Sequence, residues 1–142
     1  MKYWDASGIV PLLVRQARTL DMQRILQEDP AVVTWWGTPL ECLSALMRLV
    51  REGRLVADDL SAAERRLQEL RNGWDEILPS EACRRMAERM LRVHALRAAD
   101  ALQLAAALVV SDNDPTRLEV VCLDKRMHEA GRKEGFILAV RA

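Results

Sequence analysis

Four carboxylates could do chemistry together: Asp5, Glu41, Asp100 and Asp124. They are spread over almost the whole chain, and each falls where an apolar run meets a turn. Asp5 ends Lys2-Tyr3-Trp4-Asp5, and Glu41 ends Gly37-Thr38-Pro39-Leu40-Glu41. Asp100 lies in Leu96-Arg97-Ala98-Ala99-Asp100-Ala101-Leu102, and Asp124 ends Val120-Val121-Cys122-Leu123-Asp124. If folding brings them together, four negative charges share one pocket. Carboxylates that close repel one another, and some protonate unless cations fill the gap. An oxygen-only cluster suits Mg²⁺ or Mn²⁺, and those ions suit phosphodiester hydrolysis.

Each residue also has a purely local reading. Asp5 would cap the turn through Ala6 and Ser7. Glu41 would close a capping box with Thr38 by accepting from the Thr38 backbone N–H. Asp124 precedes Lys125 and Arg126, so an ion pair or a helix cap is open to it. Asp100 resists such a reading, because it interrupts a run of small apolar residues where an unpaired charge is costly. The joint argument is the stronger one, since all four occupy matching positions between elements. His94 and His128 have no partnered nucleophile, Ser7 belongs to no GxSxG, and there is no P-loop, GxGxxG or HExxH.

Those positions require elements to hold them. Residues 2–5 are short and β-prone, and Ala6-Ser7-Gly8 turns into an apolar segment from Ile9. A helix is expected over 18–28, broken by Asp29-Pro30, then a strand from Ala31 to Trp36 with both Trp35 and Trp36 as ordinary core. Thr38-Pro39 opens a helix whose apolar positions Leu40, Leu43, Met47 and Val50 repeat at helical spacing up to Gly53. A further helix covers 58–71, with Ser61 to Glu64 as a possible capping box, and Trp74 to Leu78 is a short strand. Helices follow from Pro79-Ser80 to His94 and from Ala98 to Ser111, the second apolar almost all round and therefore buried. Leu118 to Leu123 reads as a strand, 125–133 as a helix and Phe136 to Val140 as the last strand. Alternation of this kind predicts a mainly parallel sheet with helices on both faces, and ligands bind beyond the carboxyl ends of such strands.

The bulk properties set limits. At 142 residues, half of them apolar, the chain is expected to form one domain over 1–142. Cys42, Cys83 and Cys122 are odd in number and contain no CxxC pair, which argues against a disulfide framework or a zinc site and for a reducing cytoplasm. The longest apolar run, Leu104 to Val110, is too short to span a bilayer. Net charge is zero, yet all but three of the 21 basic residues are arginine, the better partner for phosphate. Arg85, Arg89 and Arg92 share one helical face, and Arg48, Arg51 and Arg54 form a second group. Pairing with Glu81, Glu88 and Glu52 on solvated faces is the plain account of both groups.

The chain resembles the PIN-domain nucleases, and within them the VapC-like toxins of bacterial toxin–antitoxin pairs. The matching stretches are Tyr3-Trp4-Asp5-Ala6-Ser7, Glu41-Cys42-Leu43-Ser44-Ala45-Leu46, Arg97 to Ala105, and Cys122-Leu123-Asp124-Lys125-Arg126. The resemblance implies an α/β/α sandwich with a five-stranded parallel sheet and a Mg²⁺- or Mn²⁺-dependent endoribonuclease that prefers single strands. Asp5 and Asp100 would be the principal metal ligands, Glu41 and Asp124 would complete the shell, and Ser7 would hydrogen-bond to it. A 3′-hydroxyl product, a homodimer and a cognate antitoxin are implied too, the antitoxin placing an arginine at Asp5 or Asp100. The chain departs from the family at Cys122, where a Thr or Ser is frequent, and at Gln103, where a His is frequent. A metal-free module of the same fold that holds RNA or a protein partner is the alternative; a phosphoacceptor receiver would need an acidic neighbour that Asp5 lacks.

Overall fold

A computed structural model describes residues 1–141. The chain runs β1 (Lys2–Trp4), α1 (Ala6–Leu13), α2 (Thr19–Glu28), β2 (Val32–Trp35), α3 (Thr38–Arg51), α4 (Ala57–Arg71), β3 (Asp75–Ile77), α5 (Glu81–Val93), α6 (Ala98–Val110), a 3₁₀ turn (Pro115–Arg117), β4 (Glu119–Val121), α7 (Lys125–Glu134) and β5 (Ile137–Leu138). The strands form one sheet in the order β3-β2-β1-β4-β5, and every neighbouring pair is parallel. From β1 the chain builds outward through β2 and β3, then returns to lay β4 on the other side of β1. The order therefore reverses between β1 and β4, where a crevice opens beyond the strand ends.

Alternation along β1 divides the interior into two cores. Tyr3 joins Val33, Trp35 and Val120 against α5, α6 and α7, through Met90, Leu104, Ala105 and Met127. Trp4 joins Val32 and Val121 against the helices before β3, through Ile9, Leu13, Met22, Leu46 and Leu67. The architecture is the three-layer α/β/α sandwich expected, and α6 is buried as its composition predicted, with Ala105, Ala106 and Ala107 fully enclosed. Small residues there let α6 lie close under the sheet. None of the helices is long and apolar enough to cross a membrane, among the described residues.

Several boundaries differ from expectation for reasons visible in the hydrogen bonds. Helix α1 begins at Ala6, so Ala6-Ser7-Gly8 is its first turn and Asp5 its N-cap. Strand β4 ends at Val121, because the N–H groups of Leu123 and Asp124 turn to the Ser7 hydroxyl rather than to a neighbouring strand. Strand β5 is reduced to Ile137–Leu138. The Ser61–Glu64 box lies inside α4, which starts at Ala57 with Asp58 and Asp59 in its first turn. Trp35 is buried, but Trp36 is 55% exposed, since the strand stops between them. Arg89 pairs with the distant Glu134, and Glu81 takes Arg84 rather than a member of the Arg85, Arg89 and Arg92 face.

Candidate active site

The end of β1 delivers Asp5 into the crevice, and its residue exposure falls to 4%. Its carboxylate accepts from the Ser7 backbone N–H at 3.2 Å and from the Ser7 hydroxyl. The same hydroxyl oxygen accepts from Leu123 N at 2.8 Å and Asp124 N at 3.2 Å. One serine thus ties the loop after β4 to the end of β1. Gly8 makes this approach possible: a Cβ there would meet Val121 Cγ1 and the Val121 carbonyl at 3.0 Å. Cys122 stands beside the clasp, its Sγ 3.8 Å from Ser7 Oγ and 3.5 Å from the Asp124 carbonyl.

The other three carboxylates arrive from helix N-termini, where the backbone favours negative charge. Asp100 is the third residue of α6 and accepts from the Arg97 N–H at 3.3 Å. Asp124 is the N-cap of α7, with Oδ1 accepting from Met127 N at 2.9 Å. The cap reading of Asp124 is therefore correct as far as that oxygen goes. Glu41 lies in the first turn of α3, but the expected capping box with Thr38 does not form. Gly37 is the N-cap there, and the Glu41 carboxylate accepts from Gln103 Nε2 at 3.1 Å instead.

That contact belongs to a buried polar network which sequence reasoning did not foresee. Gln103 is fully buried and accepts from the Tyr3 hydroxyl at 2.6 Å. Its amide donates to Thr38 Oγ1 at 2.9 Å as well as to Glu41. Thr34 Oγ1 reaches Thr38 Oγ1 at 2.7 Å and the Trp4 carbonyl at 2.6 Å. The network couples β1, β2, α3 and α6 and fixes where Glu41 stands. Its signal in the sequence was Gln103 itself, a polar residue within the apolar run from Ala101 to Leu108.

Asp5, Glu41, Asp100 and Asp124 all line one cleft of about 510 Å³, together with Ser7, Gln16, Ser44 and Arg48. All four predicted acids and Ser7 are thus brought to one place. Burial pushes the Asp5 carboxyl above its usual range, with a further push from Asp100, while its Ser7 hydrogen bonds pull it back. Burial raises Glu41 to about 7, aided by the charge of Asp5 and opposed by the Gln103 hydrogen bond. Arg48, in the same cleft, forms no ion pair with any of them among the described residues. The cleft carries an excess of negative charge that a hard divalent cation would relieve, and its donors are the oxygens such an ion prefers. No three of the described His, Cys, Asp or Glu residues stand as a coordination shell.

No protein-family model matches the chain. Among curated proteins it is 30% identical over 140 residues to Ribonuclease VapC45 of Mycobacterium tuberculosis strain CDC 1551 / Oshkosh, which covers 96% of this chain and 93% of that protein. Ribonuclease VapC49 of M. tuberculosis strain H37Rv gives the same identity and coverage. Among solved structures, a toxin–antitoxin complex from Klebsiella pneumoniae superposes with a TM-score of 0.60 over 89% of both chains, at 16% identity. That last likeness speaks to the fold.

Proposed function

The chain belongs to the VapC ribonucleases, and from that premise we propose that the acidic cleft is the active site of a Mg²⁺- or Mn²⁺-dependent endoribonuclease acting as the toxin of a toxin–antitoxin pair. One observation carries the assignment of the site. Four carboxylates, far apart in sequence, line a single cleft at the crossover of the sheet and, among the described residues, form no ion pair with a basic side chain. Asp5 in particular is buried there without a counter-charge, which is costly for a carboxylate with a purely structural role.

Asp5 and Asp100 would be the principal ligands, with Glu41 and Asp124 completing the shell. A divalent ion held there supplies Lewis-acid activation of water and compensates charge on the scissile phosphate. The chain's own residues do the rest. Ser7 holds Asp5 in place and, through Leu123 and Asp124, the wall that carries the fourth carboxylate. Gln103 donates to Glu41, which orients its carboxylate and favours the ionised form a cation needs. The RNA substrate, a cognate antitoxin, a homodimer and a cytoplasmic setting belong to the same proposal, as does the reading of 1–142 as one domain.

The test is cleavage of a labelled single-stranded RNA by the purified chain. Activity should vanish in EDTA, return with Mg²⁺ or Mn²⁺, and leave 3′-hydroxyl ends. Undiminished cleavage in EDTA would remove the metal from the proposal. Expression of the chain alone should arrest growth, and the product of an adjacent small reading frame should relieve the arrest. Unimpaired growth, with ribonuclease activity demonstrated in vitro, would separate the nuclease from the toxin role.

A further inference from the structure

A second cavity, of about 340 Å³, lies next to the acidic cleft, and Gln16 lines both. Arg15, Arg54 and Arg66 line it against the single carboxylate of Asp59, with Val14, Leu49 and Leu55 supplying apolar wall. Three separate stretches of chain bring these arginines together. Arg15 follows α1 by two residues. Arg54 follows Gly53, whose φ of +70° lets the chain turn back so that Arg54 N reaches the Leu49 carbonyl at 2.8 Å. Arg66 projects from α4 and is held by an Nη1 hydrogen bond to the Leu13 carbonyl at 2.7 Å. Of the three, only Arg54 has a carboxylate partner, Glu52 at 3.5 Å, among the described residues.

The two cavities pose one electrostatic question. A polyanion approaching four carboxylates is repelled, and a chain with zero net charge has no overall field to hold it. Attraction must therefore be local and adjacent. Arginine in a wet cavity binds phosphate through paired N–H donors, and ribose or base can lie on an apolar wall. We propose that this arginine cavity binds a backbone phosphate of single-stranded RNA next to the one being cut, so that Gln16 and Arg48 mark the path between the two. This deepens the nuclease reading and rests on it for the identity of the substrate. An acidic peptide would satisfy the arginines equally, but continuity with the carboxylate cleft favours the substrate itself.

The experiment uses the full chain silenced by Asp100→Asn, with a fluorescent single-stranded RNA titrated in EDTA, so that binding is read without cleavage. The double change Arg15→Ala with Arg54→Ala leaves the Arg66–Leu13 hydrogen bond intact. It should weaken RNA binding about tenfold at moderate salt and make the slope of log affinity against log salt shallower by about 0.7 for each phosphate that the arginines would otherwise neutralise. In the active background the same change should raise KM and leave kcat. Arg84→Ala, on the remote face of α5, is the control and should do neither. Equal losses from the control, or unchanged affinity and slope in the double variant, would overturn the proposal. So would a double variant that keeps RNA but releases a co-expressed protein partner. If the wild-type chain binds RNA through these arginines and never cleaves it, the cavity stands and the nuclease reading falls. Cleavage indifferent to the arginines gives the reverse, and a wild-type chain that neither binds nor cleaves RNA ends both.

Discussion

Glu134 and Glu41 are both glutamates drawn partly out of water, and their surroundings have opposite sign. Glu134 closes α7 and meets Arg89 Nη2 at 2.6 Å, Arg89 Nη1 at 3.2 Å and His94 Nε2 at 2.6 Å. Burial pushes its carboxyl up, yet the Arg89 and His94 hydrogen bonds outweigh that and hold it below the usual range. Glu41 meets one amide donor and two nearby carboxylates, Asp5 and Asp100, and is pushed up to about 7. The fold neutralises a carboxylate where the task is to fasten α5 to α7. It leaves carboxylates without an ion-pair partner at the crevice among the described residues, which costs stability and is what the proposed cation would relieve. Local rules broken at one place, and obeyed elsewhere, are what the proposed site would require.

The sharpest break would come from exchanging the consequences. Asp100→Asn keeps the size of the side chain and its hydrogen bond to Arg97 N–H while removing charge. Ribonuclease rate should fall by about a hundredfold or more, equivalent to about 2.7 kcal/mol, while urea unfolding shows a fold at least as stable as wild type. Glu134→Gln should do the converse. Arg89 is itself half-exposed, so the loss of stability is held to roughly 1–2 kcal/mol, with the rate per folded molecule unchanged. If Glu134→Gln abolished cleavage and Asp100→Asn merely destabilised the chain, the contrast between the two regions would be inverted.

Gln103 sharpens the comparison, because among the described residues it is the single donor that the crevice gives Glu41. Gln103→Met fills nearly the same volume but strands the Tyr3 hydroxyl and takes the amide donor from Glu41, while Thr38 keeps Thr34. A loss of about 1–3 kcal/mol in stability is expected from the unsatisfied groups. The rate should drop about tenfold, and excess Mn²⁺ should recover part of it if Gln103 acts by keeping Glu41 ready for a cation. A rate that stays low at every Mn²⁺ concentration would instead mean that Gln103 matters only for packing.

Much of this was readable from the residues. Asp100 declared itself as a charge inside Ala98–Val110, and Asp5 and Asp124 were placed by the ends of apolar runs. The sheet followed from alternation of short β-prone runs with helices, since parallel strands need crossovers. What could not be read were pairings set by tertiary distance. Thr38 and Glu41 have the spacing of a capping box, yet Gln103, 62 positions away, takes the carboxylate. Ser7 looked like a hydrogen-bond partner of Asp5, but its grip on Leu123 and Asp124 depends on Gly8 letting α1 touch β4. The salt link from Arg89 to Glu134 likewise spans 45 positions, out of reach of local charge spacing.

The smallest effect, and the one that reads the two glutamates against each other directly, is the pH dependence of stability without metal. Glu41 ionises near 7 in the fold against an ordinary 4.5. Between those values the native chain holds a proton that the unfolded chain has released, so stability must fall as pH rises from about 4.5 to about 7 and level off above. Asp5, raised as well, acts in the same sense. Glu134 has the opposite sign: its lowered pKa contributes stability that is present above 4.5 and lost only as pH drops below that value. Urea midpoints of the metal-free protein should therefore decline across pH 4.5 to 7. Glu41→Gln should flatten that decline, and Glu134→Gln should leave it in place while lowering the whole curve. Saturating Mn²⁺ should flatten it too, because a bound cation favours the ionised carboxylate and lowers its pKa. A wild-type curve already flat in EDTA would show that Glu41 ionises freely, and that the crevice carries no more electrostatic strain than the Arg89–His94–Glu134 cluster.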